Sequence, residues 1–316
     1  MHFKLIIYIS FFLVGYFKIN EGTSRGDSDT KIIGEQVDEE KEKEKNPTKV
    51  LYICNSFLKS PLAFNKTLAK ILSEKYTVDL LVYHSSDGHE KITENFQIIY
   101  LPISITHLNI NTINRFGMPM AMSQYHNSDK YYFFGVYSEL LSNEKIQIGG
   151  IQVGIRDYLK EQNYSLGISE FEVMGGAFAV FEALGIEKTF AISSSIFFPQ
   201  HLQFLEIEGK PIDVTQYQLP EDLTTEPGDW KAGATIFQRN TDRYNLNLKN
   251  HKSTNYVKKV YLDYTSKKYY KILHNQMGIS GEQPSSLEFL FKKIKLHFAN
   301  QHPLGIFKTF PLHEKI

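Results

Sequence analysis

Apolar and polar positions follow two different periods in the first half of the chain, and the change of period separates strands from helices. Residues 49–55 form a short apolar run of strand length, whereas the apolar side chains of residues 62–72 recur at helical spacing. A run rich in β-branched and apolar residues follows at 77–83, and another at 96–101 ends at Pro102. A strand, a helix and a strand at this spacing predict a βαβ unit with parallel strands.

The same alternation returns further along the chain. The pattern predicts a helix at 151–160 after a Gly-Gly pair, a short strand at 166–170, an apolar helix at 175–184 and a strand at 189–192. Repeated alternation of this kind predicts an α/β fold with a Rossmann-like, doubly wound parallel sheet. Ligands of such sheets bind beyond the carboxyl ends of the strands, so we expect the site in the loops at 55–61 and 169–175.

The last third of the chain is less regular. Residues 196–245 are rich in loops and contain four prolines, and residues 296–300 form a strand-like run. Between them, residues 256–273 interleave Tyr with Lys at roughly helical spacing. This pattern fits an amphipathic helix with a solvated lysine face, and it also fits a basic aromatic surface for a membrane or a partner.

The first 48 residues have the pattern of a targeting segment followed by a linker. A basic start precedes an apolar run at residues 5–17, which is shorter than the ~20 residues that a membrane-spanning helix needs. We expect a signal peptide at 1–22, with an uncleaved signal anchor as the alternative, and a charged flexible linker at 23–48. The folded domain is expected at 49–316, in the endoplasmic reticulum lumen or secreted.

Composition narrows the classes of function. Lys plus Arg and Asp plus Glu both number 35, so the net charge is zero, and we expect no nucleic acid partner. A single Cys excludes an internal disulfide framework, and the 11 His show no metal-binding spacing, so no metal site is expected. Aromatic residues make up 14% of the chain, which excludes a chain disordered throughout.

Glu170 is the most notable candidate for chemistry. It lies where an apolar strand ends, and it could orient a base or contact a polar substrate, or it could be a first-turn acid favoured by a helix dipole. Glu172 competes for either role. The serines at 193–195 follow a strand but lack a paired base. Two glycosylation sequons begin at Asn65 and Asn163.

Three segments in order carry a resemblance to a known family. They are residues 49–72, which contain the first strand, loop and helix; residues 166–186, with a strand, an acid, glycines and a helix; and residues 298–304, with a Phe-Pro-Leu run at 310–312 behind them. Together they resemble the UDP-glycosyltransferase family, most closely its nematode UDP-glucuronosyltransferase-like members.

The resemblance implies a two-domain GT-B fold, of which this chain is similar to the N-terminal, acceptor-binding half. In the family this domain binds a small lipophilic acceptor, and the C-terminal domain binds the UDP-sugar, which is a co-substrate; no other cofactor is implied. The chain ends at Ile316, where the family's linker between domains begins. We therefore expect that the donor-binding domain and the C-terminal transmembrane anchor are absent.

The resemblance also places the site residues. Alignment without gaps puts Ser60 on the family's Ser and Pro61 on its catalytic His, while the family's orienting acid falls at or near Glu170. Proline has no proton acceptor in its side chain and cannot act as a general base. His84 and His89 lie beyond the second strand and are not obvious substitutes. The acceptor pocket is expected to involve Ser60, Pro61, Leu62 and Phe171.

The resulting expectation is a member of a family that transfers sugar from a UDP-sugar to a lipophilic acceptor, inactive on its own. One alternative is a secreted or lumenal module that binds a hydrophobic ligand without catalysis. Another is a regulatory partner of a full-length glycosyltransferase. The aromatic richness of the chain suits an apolar pocket in each case.

Overall fold

The structure, a computed structural model, describes residues 48–84, 96–212, 242–300 and 313–316, apart from Leu58, Ile196, Phe198 and Glu208. The expected signal peptide, the expected linker except Thr48, and most of the third resemblance segment lie outside the described residues.

The described elements are numbered here in chain order. The strands are β1 (Lys49–Asn55), β2 (Thr77–His84), β3 (Gln97–Pro102), β4 (Lys145–Ile148), β5 (Ile151–Gly154), β6 (Leu166–Ser169), β7 (Lys188–Ser193), β8 (Glu206–Ile207), β9 (Lys210–Pro211) and β10 (Leu296–Ala299). The helices are α1 (Lys59–Leu72), α2 (Ile110–Phe116), α3 (Met118–His126), α4 (Asp129–Phe133), α5 (Gly135–Ser142), α6 (Ile155–Glu161), α7 (Gly176–Ala183), α8 (Asp242–Val260), α9 (Ser266–Gln276) and α10 (Leu287–Lys293). Short 3-10 helices lie at Ile105–His107 and Pro199–Phe204, and a π-helical turn at Tyr261–Thr265 joins α8 to α9.

The central sheet has the strand order β3-β2-β1-β6-β7-β10, and every neighbouring pair in it is parallel. The chain builds outward from β1 to β3, and then returns to the other side of β1 and builds outward again through β6, β7 and β10. This is the order of a doubly wound α/β fold, with the switch point between β1 and β6. The predicted Rossmann-like α/β class is confirmed.

Apolar clusters cover both faces of the sheet, which explains why the sequence of β1 is almost wholly apolar. Val50, Tyr52 and Cys54 point into a cluster with α1, whereas Leu51 and Ile53 join the larger cluster on the opposite face, which includes α5 and α7. Successive side chains of a strand point to opposite faces, so a strand buried on both sides reads as a continuous apolar run.

The predicted helix at 151–160 is wrong in its first half. Residues Ile151–Gly154 form β5, which pairs antiparallel with β4, and the helix α6 begins only at Ile155. Gly149 and Gly150 form the turn between them with φ values of 58° and 84°. A two-residue hairpin turn requires such positive φ angles, and glycine adopts them without steric cost.

The β1–α1 loop is shorter than predicted, because α1 begins at Lys59 and already contains Ser60 and Pro61. Proline is tolerated in the first turn of a helix, where its missing N–H has no intrahelical partner. The helices α2 to α5 were not predicted. The helix expected at 256–273 is confirmed within α8, the π turn and α9. No helix among the described residues has the length and apolar character to cross a membrane.

Candidate functional site

The carboxyl ends of β6, β7 and β10 bring together polar residues that are far apart in the sequence. Glu170 follows β6, Ser194 follows β7 and Asn300 follows β10, and all three lie at the same edge of the sheet. Because the strands are parallel, this is the edge at which ligands of α/β folds bind. The sequence located the β6 loop at this edge but did not single out Asn300.

Glu170 is held by Ser194. Its Oε1 accepts a hydrogen bond from the main-chain N–H of Ser194 and another from the Ser194 hydroxyl, both at 2.9 Å. Glu170 is 8% exposed, and burial raises the pKa of its carboxyl above the usual value, although the two bonds from Ser194 oppose that rise. The bonds from Ser194 thus partly offset the cost of burying the carboxylate at this position.

The role of Glu170 as a first-turn acid is not supported by the geometry. Helix α7 begins at Gly176, and the main-chain carbonyl of Glu170 instead accepts bonds from the N–H groups of Val173 and Met174 in the intervening turns. The side chain therefore lies outside the first turn of α7, where the helix dipole acts. Its hydrogen bonds to Ser194 explain its orientation.

A cavity of about 300 Å³ lies between α1 and the ends of β7 and β10, and its wall includes Ser194, the hydrogen-bond partner of Glu170. Ser60, Pro61 and Phe64 line it from α1, together with Ala63 and Thr67, and Ser194 and Asn300 line it from the sheet. The Asn300 side chain donates a bond of 3.2 Å to the main-chain carbonyl of Ser194, which fixes the two loops to each other. Ser194 therefore contacts both the cavity and the buried carboxylate.

The four residues expected to form the acceptor pocket separate into two regions. Ser60 and Pro61 line the cavity, whereas Leu62 packs against the hydrophobic cluster on the α1 side. Phe171 is 3% exposed and belongs to the larger cluster on the other face of the sheet. Phe171 thus acts as a core residue.

Glu172 belongs to a second and much smaller cavity of about 20 Å³, which Phe171, His201 and His297 also line. Its carboxylate contacts Nδ1 of His201 and lies 3.6 Å from Nζ of Lys258. Burial lowers the pKa of both histidines, that of His297 to about 3, so neither is charged at neutral pH. A space of this size holds about one water molecule, and Glu172 does not line the larger cavity at the ends of β7 and β10.

His126 packs against the β1–α1 loop, and the sequence did not indicate this contact. The ring of His126, at the end of α3, stacks on Phe57 with the centroids 3.8 Å apart and the planes 8° from parallel. Burial lowers the pKa of His126, so the imidazole is neutral at pH 7. It does not line the cavity. No local signal in the sequence connects position 126 with the first loop, because only the packing of α3 brings them together.

Other candidate chemistries have no support at this edge. Among the described residues, no cluster of three or more His, Cys, Asp or Glu side chains could hold a metal ion. Cys54 is buried in β1, and burial raises the pKa of its thiol to about 12, so it is not a nucleophile at neutral pH.

The two sequons differ in the structure. Asn65 is 2% exposed; its Oδ1 accepts a bond from the Tyr52 hydroxyl, and its Nδ2 donates to the carbonyl of Pro61. A glycan on this nitrogen would displace its bond to Pro61, so burial argues against the expected glycosylation at Asn65, which stays a prediction. Asn163 is exposed on a turn with φ 53°. Glycosylation there stays a prediction.

Comparison with known proteins gives only weak structural similarity. No protein-family model matches the chain. No curated protein matches it either. Among solved structures, the chain is similar to Phytolacca americana UGT2 complexed with UDP-2fluoro-glucose and pterostilbene, with 15% sequence identity and a TM-score of 0.32. The match covers 65% of this chain and 45% of that chain, so this chain spans less than half the length of the structure it matches.

Proposed function

We propose that the chain is the acceptor-binding, N-terminal half of a GT-B glycosyltransferase of the UDP-glycosyltransferase type, and that it binds a small lipophilic acceptor. The observation that carries this proposal is the cavity of about 300 Å³, which Ser194 connects to the buried Glu170. Pro61 and Phe64 supply apolar wall, whereas Ser194 and Asn300 supply polar groups. Small-molecule sites typically combine mostly apolar walls with a few placed polar groups.

The polar groups of the cavity suit the binding and orientation of an acceptor better than its activation by a base. The Ser194 hydroxyl donates its hydrogen to Glu170, so its oxygen remains available to accept a hydrogen bond from the hydroxyl of an acceptor. Pro61, which the family resemblance aligns with a catalytic histidine, offers no proton acceptor. A general base typically contributes ~10²- to 10⁴-fold to a rate, so we expect at most slow sugar transfer, through proximity alone.

The absence of a base at Pro61 favours a second candidate function, which belongs to another class. The chain would then be a lumenal or secreted module that binds a hydrophobic ligand without catalysis, or a regulatory partner of a full-length glycosyltransferase. Both candidates use the same cavity, and they differ in whether a UDP-sugar is consumed.

Ligand-dependent thermal stabilisation tests the binding that both candidates share. Phenols and steroids should raise the melting temperature of the full chain, since a ligand at about 100 times its Kd adds ~2.7 kcal/mol to the free energy of unfolding. Ala63→Trp fills the cavity from an exposed helix position and should abolish the shift. Lys70→Trp, at an exposed position of the same helix that does not line the cavity, should retain it. An unchanged shift in Ala63→Trp, or no shift with any lipophile, would contradict the proposal.

Sugar transfer separates the two candidates. The chain joined to the donor-binding domain of a UDP-glycosyltransferase should gain activity with UDP-glucuronate or UDP-glucose when Pro61 is replaced by His, by ~10²-fold or more. Ser60→His in the same fusion is the matched control, because it places an imidazole one position earlier. Equal rates with and without the Pro61→His change would show that position 61 is not where the base acts.

We also propose that the chain enters the secretory pathway. The basic start and the apolar run at residues 5–17 support this localisation. Exposure of Asn163 is compatible with a glycan in that compartment. Secretion of the full chain from a eukaryotic host, and its loss on deletion of residues 1–22, would be the expected result.

A further inference from the structure

A row of exposed lysines and tyrosines runs along α8, the π turn and α9. Its members, called here the Lys–Tyr stripe, are Lys249, Lys252, Tyr256, Lys259, Tyr264, Lys268 and Lys271. Each of the seven side chains is exposed. The stripe spans roughly 33 Å, at 1.5 Å of rise per residue.

The π turn keeps the stripe on one face. Within α8 and within α9, its members are three or four residues apart, which is the spacing of a single helix face. The one longer interval is the five residues from Lys259 to Tyr264, and it ends within the π-helical turn Tyr261–Thr265. In a regular α-helix, residues five positions apart point in different directions. A π turn holds one extra residue, so here the side chains of Lys259 and Tyr264 stay on the same face.

The opposite face of the same helices is packed into the domain. Leu262 and Tyr270 are fully buried, and the Tyr261 hydroxyl donates a bond of 2.7 Å to Asp129 of α4. Lys258 points to this inner side, where it lies 3.6 Å from the carboxylate of Glu172. The helices are therefore anchored, and the stripe is a fixed surface of the domain.

The charge of the stripe is strongly one-sided. Five of its seven members are lysines, and Asp263 is the acidic residue nearest to it along the π turn and α9. That carboxylate forms an ion pair of 2.7 Å with Lys267, and Lys259 of the stripe also helps to lower its pKa, so Asp263 offsets part of the positive charge of the stripe. Because the chain as a whole has a net charge of zero, this local excess of positive charge is matched by negative charge elsewhere.

Large side chains with apolar surface accompany the lysines. Tyr256 is 70% exposed and Tyr264 66% exposed, and the aliphatic side chains of Leu246 and Val257 are also exposed on α8. Tyrosine and lysine together are enriched where proteins meet the headgroup region of a bilayer, since the ring reaches the acyl boundary and the ammonium stays with the phosphates. A nucleic acid would offer no comparable contact for the aliphatic side chains.

We propose that the Lys–Tyr stripe docks the domain on an anionic lipid surface. The lysines bind the phosphate and carboxylate groups of the lipids, and Tyr256 and Tyr264 insert among the headgroups. The helices lie flat in the plane of the interface and do not cross the bilayer, since their inner face is packed into the domain. This docking is independent of the cavity and of the proposed acceptor.

Vesicle co-sedimentation of the full chain tests the proposal. The chain should bind phosphatidylcholine vesicles that contain phosphatidylserine and should not bind vesicles of phosphatidylcholine alone. Raising the salt from about 0.1 M to about 1 M shortens the Debye length from ~10 Å to ~3 Å and should release the chain. Changing Lys252, Lys259 and Lys268 to Gln together should weaken binding ~100-fold, since each lysine near such a surface contributes about fivefold.

Two further variants complete the test. Lys70, Lys160 and Lys295 are exposed lysines outside these helices, and their joint change to Gln alters the net charge equally but should leave binding unchanged. Tyr256→Ser with Tyr264→Ser keeps every charge and should weaken binding at about 0.1 M salt, with circular dichroism confirming an unchanged fold. The proposal is overturned if no vesicle is bound, or if the control triple variant loses as much binding as the stripe variant. Binding to double-stranded DNA that is equally tight and depends on the stripe would also overturn the proposal. It would show that the stripe binds polyanions in general and not lipid surfaces.

Discussion

Replacing Glu170 by Ala or by Gln should have very different effects on stability. Alanine removes the acceptor of two hydrogen bonds, both from Ser194, and leaves the donors without their partner. Losing bonds to a charged group costs ~1.5–3 kcal/mol each, and the partly exposed Ser194 hydroxyl can recover part of this by turning toward water in the cavity. We therefore expect Glu170→Ala to lower the free energy of unfolding by about 2–3 kcal/mol.

Glutamine should be tolerated, and its effect should depend on pH. Its side-chain oxygen can accept both bonds from Ser194, and no charge is buried. Burial raises the pKa of Glu170 in the folded state from its ordinary value of 4.5, so the folded state holds the proton more tightly than the unfolded state does. The wild-type chain therefore loses stability as the pH rises through 4.5 and up to the raised pKa, and Glu170→Gln does not. The advantage of Gln over Glu should grow from pH 4 to pH 7.

Urea unfolding of the three proteins at several pH values, followed by circular dichroism, measures both effects. For a domain of this size, 2–3 kcal/mol corresponds to a fall in melting temperature of ~4–12 °C. The reasoning would be refuted if Ala and Gln destabilised the chain equally, because the bonds to Ser194 would then not be what the side chain contributes. It would also be refuted if the advantage of Gln shrank as the pH rose.

Three further predictions concern packing, a buried hydrogen bond and a modification. Gly176→Ala should destabilise the chain by ~1–3 kcal/mol, because the new Cβ would lie 2.8 Å from a main-chain oxygen of α4; Gly281→Ala, with nothing nearer than 3.8 Å, is the matched control in thermal unfolding. Tyr52→Phe should cost ~1–2 kcal/mol in urea unfolding, because the Oδ1 of buried Asn65 loses the donor that lies 2.5 Å away; an unchanged stability would mean that water replaces the hydroxyl. Expressed in a eukaryotic secretory host, the Asn163→Gln variant should lack the glycan mass seen on the wild type, whereas a glycan at Asn65 would contradict its burial.

Several elements of the fold could be predicted because their signal is local. The apolar run of β1 and the helical spacing in α1 each follow from backbone geometry, so their approximate bounds were predictable. The error at residues 151–154 has an equally local cause. Four residues are too few for either period to be decisive, and the positive φ angles of the two preceding glycines, which form the turn, were not visible in the pattern.

The candidate site was predictable only in part. The rule that ligands of α/β folds bind at the carboxyl ends of the strands directed attention to Glu170 before any contact was known. Its partner Ser194 lies 24 positions away, and Asn300 a further 106 from Ser194. These residues meet because β6, β7 and β10 are neighbours in the sheet, and strand order is not encoded in the period of any single strand.

The sequence by itself determined the kinds of elements, the α/β class and the acid that follows β6. The tertiary structure decided which side chains are accessible: it buried the sequon at Asn65, assigned Phe171 to the core, and left the Lys–Tyr stripe exposed. The physical reason is that secondary structure depends on interactions between residues a few positions apart, whereas exposure and partners depend on contacts between segments distant in the chain. Such contacts exist only after the sheet has been assembled in its particular order.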